Sequence, residues 1–182
     1  MNLKETTKSQ EYIYRGRIIN MRRDEAILPN GKTAAREVIE HPGGVCIAAL
    51  TDAHEVLFVR QYRYPYSAEI LEIPAGKRDS LWEDPLECGK RELKEETGAV
   101  AEKFITLGEL YPSPGYCNEI IWMFAATNLS FGDTNPDEDE FLSVERIPLE
   151  RAVEMILSGE IKDSKTQAAV LKLKILVDEG KI

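Results

Sequence analysis

The stretch from Asp84 to Gly98 constrains this chain more than any other, because it marks both ends of one helix and loads the last turns with charge of the unfavourable sign. Asp84 is a side-chain acceptor at the cap position, Pro85 occupies the first helical position, and Glu87 lies three residues beyond the cap. Gly98 is a natural stop. The spacing predicts a helix from about 85 to 97. On it Glu92 and Glu96 share a face with Glu95 beside them, while Leu86, Leu93 and Thr97 share the adjacent apolar face. The acidic patch therefore lies at the edge of a core.

Carboxylates near a helix C-terminus are disfavoured by roughly 0.3–1 kcal/mol each, and like charges four apart add a few tenths more. A bound cation reverses the sign of that term. With two histidines and three widely spaced cysteines (Cys46, Cys88, Cys117), neither a histidine-rich nor a cysteine-based metal site is expected, so any metal sits on oxygen ligands, as Mg²⁺ or Mn²⁺ does. The alternative is a solvated acidic helix face.

The remaining chain supplies the frame. Its 182 residues allow one main core. A hydrophobic fraction of 43% with 30% charged residues describes a soluble globular protein. The formal charge of −9 argues against a nucleic-acid partner. The longest apolar runs, Val45 to Leu50 and Ile120 to Ala126, are far shorter than a membrane-spanning helix requires. The polar N-terminus lacks a secretory pattern, so a cytoplasmic location is expected.

From Tyr12 to Glu40 the pattern predicts strands, with a hairpin turn at Asn30-Gly31. Further strands are predicted over Val45–Leu50, Glu55–Arg60, Ile70–Ile73, Phe104–Leu110, Ile120–Thr127 and Phe141–Ile147. Helices are predicted over Leu149–Ser158 and Ser164–Glu179, the latter with apolar residues at Ala168, Leu171, Ile175 and Leu176. The order is mixed, an α+β class, with an N-terminal β extension over 1–42 and the main domain over 43–182.

Gly76, six residues, Glu83, seven residues, then Arg91-Glu92-Leu93-Lys94-Glu95-Glu96-Thr97-Gly98-Ala99: this arrangement resembles the signature of the Nudix hydrolases. The six residues Lys77 to Trp82 are one more than is usual in the family, and the insertion falls before the helix cap. The resemblance implies a mixed β-sheet sandwiched between helices. It implies divalent ions held by Glu92 and Glu96 directly, by Glu95 directly or through water, and by the Ala75 carbonyl. Arg91 then pairs with Glu83 to hold the loop against the helix; an ordinary helical pair with Glu87 is the alternative.

Segments Arg60-Gln61-Tyr62-Arg63-Tyr64-Pro65 and Glu72-Ile73-Pro74-Ala75-Gly76, and Pro114 sixteen residues after Gly98, resemble ADP-ribose pyrophosphatases. The resemblance implies Mg²⁺-dependent cleavage of ADP-ribose to AMP and ribose 5-phosphate, with Arg63 gripping phosphate, Glu72 accepting from adenine or ribose, and Pro114 at the substrate. The base implied for the attacking water is Glu138, with Glu140 second, in the acidic run Asp137–Glu140. A homodimer through the N-terminal extension is implied as well. Another nucleoside diphosphate sugar is the alternative substrate, and a non-catalytic Nudix-like binding module the alternative from a different class. No role follows for Tyr62, Tyr64 or Tyr66.

Overall fold

The computed structural model describes residues 2–135 and 141–182. The chain divides into two compact units: Met1–Gly43 with Tyr111–Ile120, and Gly44–Leu110 with Ile121–Ile182.

In the first unit β1 (Thr6–Arg15), β2 (Asn20–Ile27) and β3 (Thr33–Glu40) form an antiparallel meander. The β2–β3 turn lies at Asn30-Gly31 as predicted: Gly31 has φ +81° and its N–H donates to the Leu28 carbonyl at 2.9 Å. β1 begins at Thr6, earlier than the predicted Tyr12, with Thr6 opposite Ile27. Every residue of β1 is exposed, so its first half carries no apolar alternation to reveal it. The segment Tyr111–Ile120 joins this unit. Ile39 donates to the Tyr116 carbonyl at 2.7 Å, and the Asn118 side-chain oxygen accepts from the His41 N–H at 2.8 Å.

The second unit runs β4 (Gly44–Ala49), β5 (Glu55–Arg63), a 3-10 turn (Tyr64–Tyr66), β6 (Ala68–Glu72), β7 (Ala75–Lys77), α1 (Pro85–Thr97), β8 (Ala99–Leu110), β9 (Ile121–Phe131), β10 (Leu142–Pro148), α2 (Leu149–Leu157) and α3 (Ser164–Asp178). A mixed sheet in the order β7-β4-β9-β8 lies beside an antiparallel one, β10-β5-β6. β4 and β9 pair in parallel. Every residue of β4 is buried, as a strand covered on both faces must be. Its alternation divides the core: Val45, Ile47 and Ala49 pack with Cys88, Leu93 and Phe124, and Cys46 and Ala48 with Ala169, Val170 and Leu173. The sheet is thus sandwiched between α1 and α3, the α+β arrangement expected.

Sequence pattern leaves two features of this unit open. The short β7 was not foreseen, because Ala-Gly-Lys carries no strand pattern. The buried residues of α3 are Lys165, Thr166, Ala169, Val170 and Leu173; Ala168, Leu171 and Leu176 pack against the same core from partly buried positions, and Ile175 is 56% exposed. Apolar residues surround α3 on nearly every side, so periodicity alone selects no face. Among the described residues no helix is long and apolar enough to cross a membrane.

Candidate metal and phosphate site

Helix α1 is held at both ends and along one side. The Asp84 side chain accepts from the N–H groups of Leu86 and Glu87 at 2.9 and 3.2 Å, and Gly98, at φ +69°, donates to the Lys94 carbonyl at 2.8 Å. Leu93 is fully buried, and its loss to alanine would cost about 2–5 kcal/mol. A methyl group on Gly89 would meet Ile47 and Phe124 at 3.6 Å, so the helix backbone lies close against the sheet.

This docking carries the acidic face into the protein. Glu96 is 1% and Glu92 7% exposed, while Glu95 is half-buried. The Ala75 N–H donates to Glu96 Oε2 at 3.0 Å. A Cβ built on Gly76 would lie 1.9 Å from Glu92 Cδ, so only glycine leaves room for that carboxylate. Sequence alone places Gly76 six residues before Glu83; the fold seats it against Glu92.

Arg91 lies among the carboxylates. Its guanidinium meets Glu83 Oε1 at 3.3 Å, Glu92 Oε1 at 2.8 Å and Glu95 Oε2 at 3.0 Å, while Glu87 pairs with Lys90 instead. Burial opposes the Arg91 charge, but Glu92 first, then Glu95 and Glu83, more than offset it and hold its pKa above the ordinary arginine value. Burial also works to raise the Glu83 pKa. The Asp79 N–H at 2.7 Å and the Arg91 charge outweigh it and leave Glu83 below the usual carboxylate value. The lengthened loop closes on Arg78, which donates to the Leu81 and Glu83 carbonyls at 2.5 and 2.7 Å and lies 4.8 Å from the Trp122 ring centre. Leu81 and Trp82 are left exposed, at 67% and 91%.

Arg63 and Glu72 are brought together. Arg63 Nε and Nη2 donate to Glu72 Oε1 and Oε2, both at 2.7 Å, in the two-pronged pairing guanidinium favours. Glu72 is only 2% exposed, and Lys165 grips its Oε2 from α3. Both Glu72 oxygens are therefore engaged by cations of this chain. Sequence reasoning missed Lys165, because periodicity selects no inward face of α3 and one of its two acidic partners lies on the distant β6.

Pro114 lies in the first unit, where it lines a cleft of about 390 Å³ with Asp24, Arg36, Val38 and Cys117. Glu138 and Glu140 lie outside the described residues. Asn135, ahead of them, donates its N–H to the Glu95 carbonyl at 2.9 Å, and the Gly132 N–H bonds the Gly98 carbonyl at 2.8 Å.

Among the described residues no three acidic, histidine or cysteine side chains converge closely enough to enclose an ion, and Arg91 supplies the local positive charge. The donor chemistry nevertheless fits a hard divalent cation: two buried carboxylates, a third beside them, and oxygen as the donor throughout.

Comparison with known proteins agrees with this geometry. Residues 32–169 match the NUDIX domain family, and residues 5–39 match the nucleoside diphosphate sugar hydrolase N-terminal domain. An ADP-ribose pyrophosphatase of Bacillus subtilis (strain 168) is 39% identical over 96% of this chain and 95% of its own. A methanol dehydrogenase activator of Bacillus methanolicus is 40% identical over 94% and 93%. The crystal structure of an ADP compounds hydrolase superposes over the whole of both chains with a TM-score of 0.86, at 23% identity, which speaks to the fold.

Proposed function

Because this chain belongs to the Nudix family, we propose that it hydrolyses the diphosphate of ADP-ribose, releasing AMP and ribose 5-phosphate, with Mg²⁺ or Mn²⁺ bound at α1. The observation that carries this reading is the pair of buried carboxylates, Glu92 and Glu96, held against Gly76 and the Ala75 N–H. Carboxylates packed this way at the negative end of a helix are costly unless a cation joins them.

Held there, a divalent cation would supply Lewis-acid polarisation of a phosphoryl oxygen and would neutralise charge developing in the transition state, worth several kcal/mol. Glu92 and Glu96 are its proposed direct ligands, with Glu95 and the Ala75 carbonyl completing the protein's share. Arg91, anchored by Glu83, keeps the 77–83 loop on the helix and neutralises Glu92 and Glu95 until a cation does so. Arg63 offers its guanidinium to an anionic oxygen of the substrate, and Glu72 orients it. Glu138 takes the proton of the attacking water, with Glu140 as the second candidate.

The first unit is assigned to dimerisation and to substrate contact through Pro114. Tyr14, Ile13 and Ile18 are exposed at 57%, 52% and 56%, a density of apolar surface that favours a partner copy. Light scattering that returns a monomer mass at micromolar concentration sinks that assignment.

The match of residues 5–39 to the N-terminal domain of nucleoside diphosphate sugar hydrolases favours one wider alternative, a different sugar on the same diphosphate. Initial rates on ADP-ribose, ADP-glucose and GDP-mannose, with Mg²⁺ and with chelator, decide between them. ADP-ribose is expected to be turned over fastest and all activity to vanish with chelator. A faster rate on another sugar transfers the proposal to that substrate, and no product from any of them removes it.

A further inference from the structure

The second unit contains a buried cation for which metal binding and hydrolysis, as described so far, have no use. Lys165 is 8% exposed, and its ammonium lies between the Asp163 carboxylate, 3.0 Å away, and Glu72 Oε2. Asp163 is the cap of α3 and accepts from the Thr166 N–H at 2.9 Å and from the Thr166 hydroxyl at 2.6 Å. The same hydroxyl accepts from the Ile73 N–H at 3.0 Å. The first turn of α3 thus clasps both residues that precede Pro74-Ala75-Gly76.

From Lys165 the chain of charges runs outward. Glu72, gripped from inside by Lys165, holds Arg63 by two parallel bonds from outside. Only its outer end meets solvent: the Lys165 side chain is 10% exposed, Glu72 3% and Arg63 39%. Nε and Nη2 of Arg63 are engaged by Glu72, so Nη1 is the corner of the guanidinium left over for an incoming anion. The Glu72 hydrogen bond above all, and in smaller part the charge of Glu96, hold the Arg63 pKa up, so this arginine lies within electrostatic reach of the acidic helix. Buried ion pairs are poor stabilisers compared with apolar packing, and what they supply is a single geometry.

We propose that Lys165 is a positioning residue for substrate binding: it fixes Glu72, and through Glu72 the orientation in which Arg63 meets a phosphate oxygen of a nucleoside diphosphate sugar. Lys165 touches neither substrate nor metal. This inference rests on the hydrolase reading, and the test separates the two.

Wild type, Lys165→Met, Lys165→Arg, Arg63→Ala and the double variant Arg63→Ala/Lys165→Met are assayed on ADP-ribose in saturating Mg²⁺, with circular dichroism to select folded proteins. Lys165→Met is expected to raise KM by about tenfold, the scale of one disturbed charged hydrogen bond, with kcat close to wild type. Lys165→Arg, which keeps a donor and the charge, is expected to restore KM most of the way. On the Arg63→Ala background, Lys165→Met should add almost nothing, because the residue it orients is gone. Unchanged KM in a folded Lys165→Met overturns the proposal, as does a full additional effect in the double variant. If Lys165→Met does not fold, Lys165→Gln, which retains a hydrogen-bond donor without the charge, must show the raised KM, and a wild-type KM there overturns it equally. An inactive wild type removes the hydrolase reading and this inference with it; an active wild type with indifferent Lys165 variants removes this inference alone.

Discussion

Replacing Gly76 by alanine would set a methyl carbon 1.9 Å from Glu92 Cδ and 2.1 and 2.2 Å from its two oxygens. An ordinary carbon contact is about 3.5 Å, so the carboxylate would have to retreat by about 1.6 Å. Gly76 does not have a positive φ, so alanine meets no backbone strain there, and its narrower unfolded ensemble contributes about 0.4–1 kcal/mol of stability. Overpacking of this kind costs about 1–3 kcal/mol, so a modest net loss of thermal stability is expected. A misplacement of about 1 Å in a reacting arrangement costs roughly 100-fold, so kcat on ADP-ribose at saturating Mg²⁺ should fall by about that factor. The assay pairs steady-state kinetics with a melting curve, and Glu92→Gln serves as the reference for full loss of the ligand charge. A folded Gly76→Ala enzyme with kcat within about threefold of wild type would refute the idea that Gly76 makes room for a working Glu92.

Burial works to raise the Glu72 pKa, but the Arg63 hydrogen bond and the Lys165 charge outweigh it, leaving the folded value below the ordinary 4.5. A depressed pKa means this stability is fully present above the unfolded value and is lost as pH falls through the folded one. Melting temperatures below about pH 4.5 should therefore drop more steeply for wild type than for Glu72→Gln, and parallel curves would contradict the pairing. Burial pushes the Cys46 and Cys88 thiols up to about 12, whereas Cys117 is half-buried, so iodoacetamide at about pH 8 should label Cys117 first and the other two only after unfolding. Early labelling of Cys88 would show that α1 opens readily.

Local chemistry decided what could be read from the chain in advance. Helix α1 was legible because Asp84, Pro85 and Gly98 act on their immediate neighbours, and the glutamate spacing follows from helical geometry without reference to the rest of the fold. The pairing of Arg91 with Glu83 was legible only as one of two options, since choosing between Glu83 and Glu87 depends on how the loop folds back. The inward face of α3 was hidden because apolar residues surround that helix. Lys165 was hidden with it, since the two acids that make its burial tolerable lie on the α3 cap and on the distant β6. The first half of β1 and the whole of β7 lacked any pattern, being exposed in one case and three small or polar residues in the other.

The central claim is that Glu92 and Glu96 are buried together to hold a divalent cation. Isothermal titration of Mg²⁺ or Mn²⁺ into the wild-type protein and into the Glu92→Gln/Glu96→Gln double variant tests it most directly. Saturable uptake by wild type that disappears in the folded double variant is the predicted result; no uptake by wild type, or equal uptake by both, would contradict it.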